Sequence, residues 1–391
     1  MIRIIIAILT SVFLTDVSFA QNRGWYTDYA AAKADAKKTG KPMFLTIRCE
    51  QCDDMRKFDT SVNRIVPEIA EKFIPVRLTR ITGVDLRIFE FDYDLTWIGF
   101  FLNADESIYG RYGGRDNKSA DERLSIAGLQ YAMKQAEQLH LNPPKPTPAQ
   151  PAIRAEDLGG AKKKGGCIHC HNVNELQRAE LKAKGKWERE SLWVYPLPEN
   201  IGITLNVNEG NKVQKVEANS LASTTRIKPG DIIKQLNGYP IASFADAQFA
   251  LNKAPAQGEI SIRWLHDDEE QSAKLQLPPG WRKTNLSWRP SMIDYLPSMA
   301  ISGGDLSPAE KMKLGLDENR LAVQQDKFVH STLKKFGVQK GDIVVGIGGQ
   351  KLEGNLKSFL DYVRGNYLAG DKVTLEVLRA GKPVSLELVL Q

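Results

Sequence analysis

Apolar and polar positions change period along this chain, and the changes divide it. Ile4 to Thr15 is an apolar run without a charge, preceded by Met1-Ile2-Arg3 and closed by Val17-Ser18-Phe19-Ala20. It is well short of the ~20 residues of a membrane helix, so residues 1–20 read as a cleaved secretory signal peptide, with no membrane span after cleavage. Ala30 to Lys38 is predicted as a helix stopped at Thr39-Gly40, and Met43 to Ile47 as a buried strand that delivers the chain to Arg48-Cys49-Glu50-Gln51-Cys52. Further helices are predicted over Asp53 to Phe58, Val62 to Phe73 and Ala120 to His140. Ile74 to Leu78 is a strand, and Phe100 to Tyr112 a hairpin.

Leu141 to Pro151 carries five prolines and no periodic apolar face, the pattern of an extended spacer. A helix follows over Val173 to Lys184. The rest of the chain repeats itself. Val213 to Val216, Ile227 to Ile233, a helix Phe244 to Leu251, and strands Glu259 to Trp264 and Ala273 to Leu277 recur in order. The second set is Leu321 to Val323, Val338 to Val344, Leu356 to Arg364, Lys372 to Leu378 and Val384 to Leu390. The expected organisation is therefore a multidomain α/β plus β-rich chain. Its parts are a signal peptide (1–20), an α/β domain (21–140), a proline-rich linker (141–160), a short helical segment (161–197), a first repeat (198–280), a connector (281–303) and a second repeat (304–391).

Composition narrows the classes. With 391 residues, 42% hydrophobic and 26% charged, the chain can bury several cores. The net charge of +6 is dispersed apart from Lys162-Lys163-Lys164, which argues against a nucleic-acid partner. Those lysines lie in a solvated linker, where they could also steer an acidic electron-transfer partner.

The four cysteines form two Cys-x-x-Cys pairs, Cys49/Cys52 and Cys167/Cys170. In an exported chain, pairs this tight favour redox or cofactor chemistry over a stapled scaffold. Cys167-Ile168-His169-Cys170-His171 offers two thiols for thioether bonds and His171 for haem iron, which predicts one covalent haem c. Some forty residues cannot enclose a haem, so its walls would come from neighbouring domains. Trp187, Trp193 and Tyr195 are the nearby aromatics, and Met292, Met299 and His140 the candidates for the opposite axial position. Zinc, held by Cys167, Cys170 and histidine or by all four cysteines, is the alternative cofactor.

The helix Ala30 to Lys38 with Thr39-Gly40-Lys41-Pro42 after it, the βαβ-then-ββα order and Cys49-Glu50-Gln51-Cys52 resemble the thioredoxin fold. The resemblance implies a thiol-disulfide oxidoreductase site. In the family's register Cys52 falls at the attacking position, with Cys49 resolving and Met55 where the usual resolving cysteine stands. Thr96-Trp97-Ile98 occupies the place of the family's cis-proline. An inert or structural disulfide is the competing reading.

The repeats, each with Gly-Asp-Ile after two variable positions (Gly230-Asp231-Ile232 and Gly341-Asp342-Ile343), resemble bacterial PDZ domains. That implies binding of a protein or peptide as an added strand, its end carboxylate held by a glycine-bearing loop. Ile201-Gly202-Ile203 fits that loop in the first copy, and Leu314-Gly315-Leu316 is the best match in the second. Ser302-Gly303-Gly304-Asp305 lacks a properly flanked serine and has no His/Asp partners placed around it, so proteolysis is rejected. Cys49 to Cys52 with Arg56 to Asp59, Cys167 to His171, and Gly280-Trp281 to Trp288-Arg289 together resemble the thioredoxin-like/PDZ proteins of environmental bacteria, some of them selenoproteins. The expectation is a periplasmic or otherwise extracytoplasmic thiol/haem redox protein. Its rival is a non-catalytic PDZ adaptor on a degenerate thioredoxin fold.

Overall fold

The computed structural model describes residues 24–49, 53, 55–143, 150–163 and 167–391. The expected signal peptide, Cys52 and residues 144–149 of the proline-rich linker lie outside these residues. Asp28 caps helix α1 (Tyr29–Thr39) by accepting from the Ala30 and Ala31 amides, and Gly40 ends it at φ 72°. Strand β1 (Met43–Arg48) then enters a four-stranded sheet with β2 (Ile74–Leu78), β3 (Trp97–Leu102) and β4 (Ile108–Gly113), in the order β2-β1-β3-β4. β1 runs parallel to β2 and antiparallel to β3. All six β1 positions are buried because both faces are covered.

The period-two alternation of β1 sorts its side chains. Met43, Leu45 and Ile47 face α1, while Phe44 faces α2 (Arg56–Arg64), α3 (Val66–Lys72) and α4 (Ile126–Leu141). Residues 79–96, which no periodicity marks, fold over the α1 face and bury Phe89, Phe91 and Tyr93 there. Helix α5 (Cys170–Ala183) adds Val173 to the same cluster. Full burial of that valine is worth roughly 2 kcal/mol.

The first repeat contains β5 (Ile203–Leu205), β6 (Val213–Val216), β7 (Ile232–Leu236), β8 (Tyr239–Pro240), α6 (Phe244–Asn252), β9 (Gly258–His266) and β10 (Glu269–Leu277). The second contains β11 (Gly303–Asp305), α7 (Pro308–Lys313), β12 (Val323–Gln325), α8 (Ser331–Lys335), β13 (Ile343–Ile347), β14 (Gln350–Lys351), α9 (Leu356–Asn366), β15 (Lys372–Arg379) and β16 (Lys382–Val389). β5 pairs antiparallel with β6, and β11 with β12. Buried Asp231 and Asp342 each accept an amide three residues earlier, from Lys228 and Gln339. Both β7 and β13 carry a register shift near the middle.

One expectation is corrected by this topology. The strand equivalent to β5 is β11, so the loop that enters it is Ile301-Ser302-Gly303. Leu314-Gly315-Leu316 instead follows α7, where Leu314 and Leu316 pack with Leu306 and Ala322. The inserted α7 separates β11 from β12 and hides the correspondence.

Candidate functional site

Cys49 is half-buried at the end of β1, and its amide donates to Thr96 O at 3.0 Å. The segment Thr96-Trp97 thus abuts Cys49, as its sequence position implies. Beneath it, Arg48 and Arg77 converge on Asp59, at 3.5 Å and 2.8 Å, and Trp97 Nε1 donates to the same carboxylate at 3.1 Å. Arg48 also donates to the Cys49 carbonyl. Met55 caps α2 at φ 68° and is buried with Phe58 and Val62, so it serves packing there.

The second Cys-x-x-Cys motif lies against Cys49. His169 Nδ1 is 3.9 Å from Cys49 Sγ. His169 is the N-cap residue of α5, and its amide donates to Asn172 Oδ1 at 3.0 Å. Cys170 opens the helix and, with Ile168 and Trp288, packs on the thioredoxin-side core, while Cys167 is exposed. His171 Nδ1 pairs with Glu175 Oε1 at 3.0 Å, and its ring stacks on His169 with centroids 5.7 Å apart.

A buried ionic cluster, unforeseen from sequence, holds α5 here. Arg289 Nη1 lies 2.6 Å from Asp92 and 3.2 Å from Asp94, with all three side chains at most 2% exposed. Asp94 also accepts from Asn174 of α5 at 2.9 Å and from the Ser291 amide at 2.8 Å, and Arg178 donates to the Ser291 carbonyl. Burial outweighs the Arg289 charge at Asp92 and pushes its carboxyl above the ordinary value.

Cys167 and Cys170 stand on either side of the start of a helix whose second residue is His171, the order a covalent haem would need at its tether, but among the described residues no opposite axial ligand stands beside them. The axial candidates are committed elsewhere. His140 uses both nitrogens, on Tyr109 at 2.6 Å and Gly40 O at 2.8 Å. Met292 packs with Leu192, Leu286, Trp187 and Trp193, and Met299 lies in the core of the second repeat. Tyr195 bonds α6 through both backbone groups, at Gln248 and Asn252. Among the described residues no three His, Cys, Asp or Glu side chains group as a metal site.

In the first repeat Ile201 and Ile203 are buried, and Gly202 sits at φ 86°, where a Cβ would meet Ser220 Oγ at 2.0 Å. The Asn200 and Gly202 amides donate within the loop itself, to Leu197 O and Glu199 O at 2.9 Å each. Ser302 Oγ donates to Asp326 at 3.0 Å. Among the described residues no histidine is hydrogen-bonded to Ser302.

Comparison with known proteins gives names to two parts of this architecture. The thioredoxin-like family model matches residues 24–104, and the PDZ domain model matches residues 200–277. The periplasmic serine endoprotease DegP of Salmonella typhimurium is 28% identical over 159 residues, covering 40% of this chain and 30% of that protein. A probable serine protease do-like of Buchnera aphidicola is 29% identical, covering 54% and 42%. The regulator of sigma-E protease RseP of Escherichia coli is 25% identical, covering 45% and 35%. The chain thus spans less than half the length of these curated relatives. A solved HtrA-type protease, AlgWS227A with decapeptide, aligns at 15% identity and a TM-score of 0.24, covering 46% of this chain and 53% of that one. No helix among the described residues is long and apolar enough to cross a membrane. The chain is therefore a mixed α/β protein that carries a thioredoxin-like domain and a PDZ domain.

Proposed function

We propose that this is an extracytoplasmic thiol-disulfide exchange protein that recruits a protein partner through PDZ modules, the second repeat being the second such module. The observation that carries the redox half is the 3.9 Å approach of His169 Nδ1 to Cys49 Sγ. An imidazole beside a thiol can take its proton and leave the nucleophilic thiolate. Family register gives the first attack to Cys52, but the base stands at Cys49, so the first attack is assigned to Cys49. Its sulfur bonds to one sulfur of a substrate disulfide, the S–S bond breaks, and the released thiolate takes a proton. Cys52 then displaces the second substrate thiol, leaving an oxidised Cys49/Cys52 pair and a reduced substrate.

Periplasmic relatives and the Ile4–Thr15 run support the location outside the cytoplasm. Their protease titles are not carried over: Ser302 lies at the edge of a repeat with its hydroxyl on Asp326, and among the described residues no histidine is hydrogen-bonded to it. Trapping tests the assignment. With a model disulfide substrate, Cys52→Ser is expected to accumulate a mixed disulfide on Cys49, and Cys49→Ser to accumulate none. Accumulation on Cys52 in Cys49→Ser would restore the family order, and none in either variant would leave the adaptor reading.

A second reading gives Cys167, Cys170 and His171 to a covalent haem c, supported by the helix start at Cys170. Cys167 and Cys170 would tether it and His171 would hold its iron. The group would supply one-electron redox chemistry to an electron-transfer partner. A covalent haem spectrum that survives acid-acetone extraction, from protein made with haem-attachment machinery, tests this reading.

A further inference from the structure

We propose that the peptide groove of the PDZ domain is held by the chain's own thioredoxin-like domain, and that partner recruitment passes to the equivalent groove of the second repeat. This rests on the recruitment half of the function proposed above. In each repeat the groove lies between an edge strand and a helix: β5 and α6 in the first, β11 and α9 in the second. Phe244 and Leu356 open these helices, after the caps Ser243 and Asn355. Phe244 and Gln248 therefore correspond to Leu356 and Leu360.

The first groove is full. All eight α6 residues from Phe244 to Leu251 are buried. Arg123 of the thioredoxin-like side stacks on Phe244 at 4.8 Å and reaches Glu199 of the loop at 2.7 Å. Gly114, at φ 117°, sits so close that a Cβ would meet Phe244 at 2.4 Å and Gln248 Oε1 at 3.1 Å. Gln248 Nε2 donates to Tyr195 O at 2.9 Å, while Asn252 accepts from the Tyr195 amide at 3.1 Å. Asp246 accepts the Arg111 amide at 2.8 Å, and Arg111 lies over Phe249 at 3.5 Å. About 10 Å³ of space remains between Tyr112 and Arg123 on one side and Leu205 and Phe244 on the other. An added strand has no room there.

The second groove is open: a cavity of about 760 Å³ lies between α9, residues 293–299 and Asp305 at the end of β11. Leu296, Met299, Leu356 and Leu360 give it apolar walls, and exposed Ile293 stands at its mouth. β11 is an edge strand of its sheet, so one side of its backbone can take an added strand. Arg364 lines the groove, is exposed, and has no ion-pair partner among the described residues. Of the two carboxylates that also line the groove, Asp305 accepts the Leu356 amide and Asp361 pairs with Lys357, so the apolar walls, the available edge and Arg364 fit an extended chain end with an apolar last residue and a free carboxylate.

The test uses the full chain and a randomised decapeptide pool bearing a benzophenone side chain near a free carboxyl terminus. Mass spectrometry is expected to map crosslinks to residues 293–305 and 356–364, with loss of the signal when the pool is amidated and in Leu360→Glu. Crosslinks at residues 199–205 or 244–252 would overturn the inference while keeping recruitment. Absence of any carboxylate-dependent crosslink would overturn both.

Discussion

His169 Nδ1 lies 3.9 Å from Cys49 Sγ, although 120 residues separate them in sequence. The contact joins Cys49 and the Cys167–His171 motif into one locus. It exists because α5 is held against the thioredoxin-like domain from the side opposite α2, by Val173 in the core and Asn174 on Asp94.

If His169 takes the Cys49 proton, His169→Ala should slow alkylation of Cys49 by iodoacetamide at neutral pH by about tenfold, with the fold unchanged. Peptide mass spectrometry on timed samples reads this directly. Equal rates would make the contact a packing coincidence.

The locus should be sensitive to Arg289. Arg289→Ala leaves Asp92 and Asp94 buried beside each other without their cation, which is expected to cost about 3–5 kcal/mol in urea unfolding. The same variant should loosen α5, so Cys170 becomes more reactive to thiol reagents.

Domain docking should depend on pH through Asp246. Burial pushes this carboxyl up to about 6 from 3.8, against the opposing pull of Arg111. The folded state holds its proton more tightly than the unfolded chain does. That contribution is full below pH 3.8 and is lost as pH rises through about 6, amounting to about 3 kcal/mol. Asp246→Asn should flatten this slope in denaturation measured from pH 4 to 7. It should also lower stability overall by about 1–3 kcal/mol, since its amide meets the donors Ala242 N and Ser243 Oγ where the carboxylate accepted them.

Gly202 has positive φ and no room for a Cβ, so Gly202→Ala should destabilise the PDZ domain by about 1–3 kcal/mol. Hydrogen exchange confined to residues 198–217 would show the effect as local, with the thioredoxin-like sheet unchanged.

Much of this architecture was legible because local patterns carry it. Asp28 and Gly40 bracket α1, the apolar run at 43–47 becomes β1, and the two Gly-Asp-Ile turns become equivalent buried aspartates. The expected helix starts were less accurate: α2 begins at Arg56, not Asp53, and α4 at Ile126, where Ser125 supplies the cap. What the sequence concealed is long-range. Nothing local pairs His169 with Cys49, or Arg289 with Asp92 and Asp94, because each contact is made by packing between segments. The PDZ loop residues Ile201 and Gly202 were visible as a motif, but not the Arg123, Gly114 and Tyr195 contacts that close the groove beside them. Tyr295 to Ile301 echoes Tyr195 to Ile201 at a spacing of one hundred residues, a signal that could have found the second loop.

The most direct measurement of the central claim is the reduction potential of the Cys49/Cys52 couple, set against glutathione buffers and read by mass spectrometry. An exchange-active pair is expected between about −270 and −120 mV, the span of working oxidoreductases. A potential below about −300 mV would mark a structural disulfide and contradict the account.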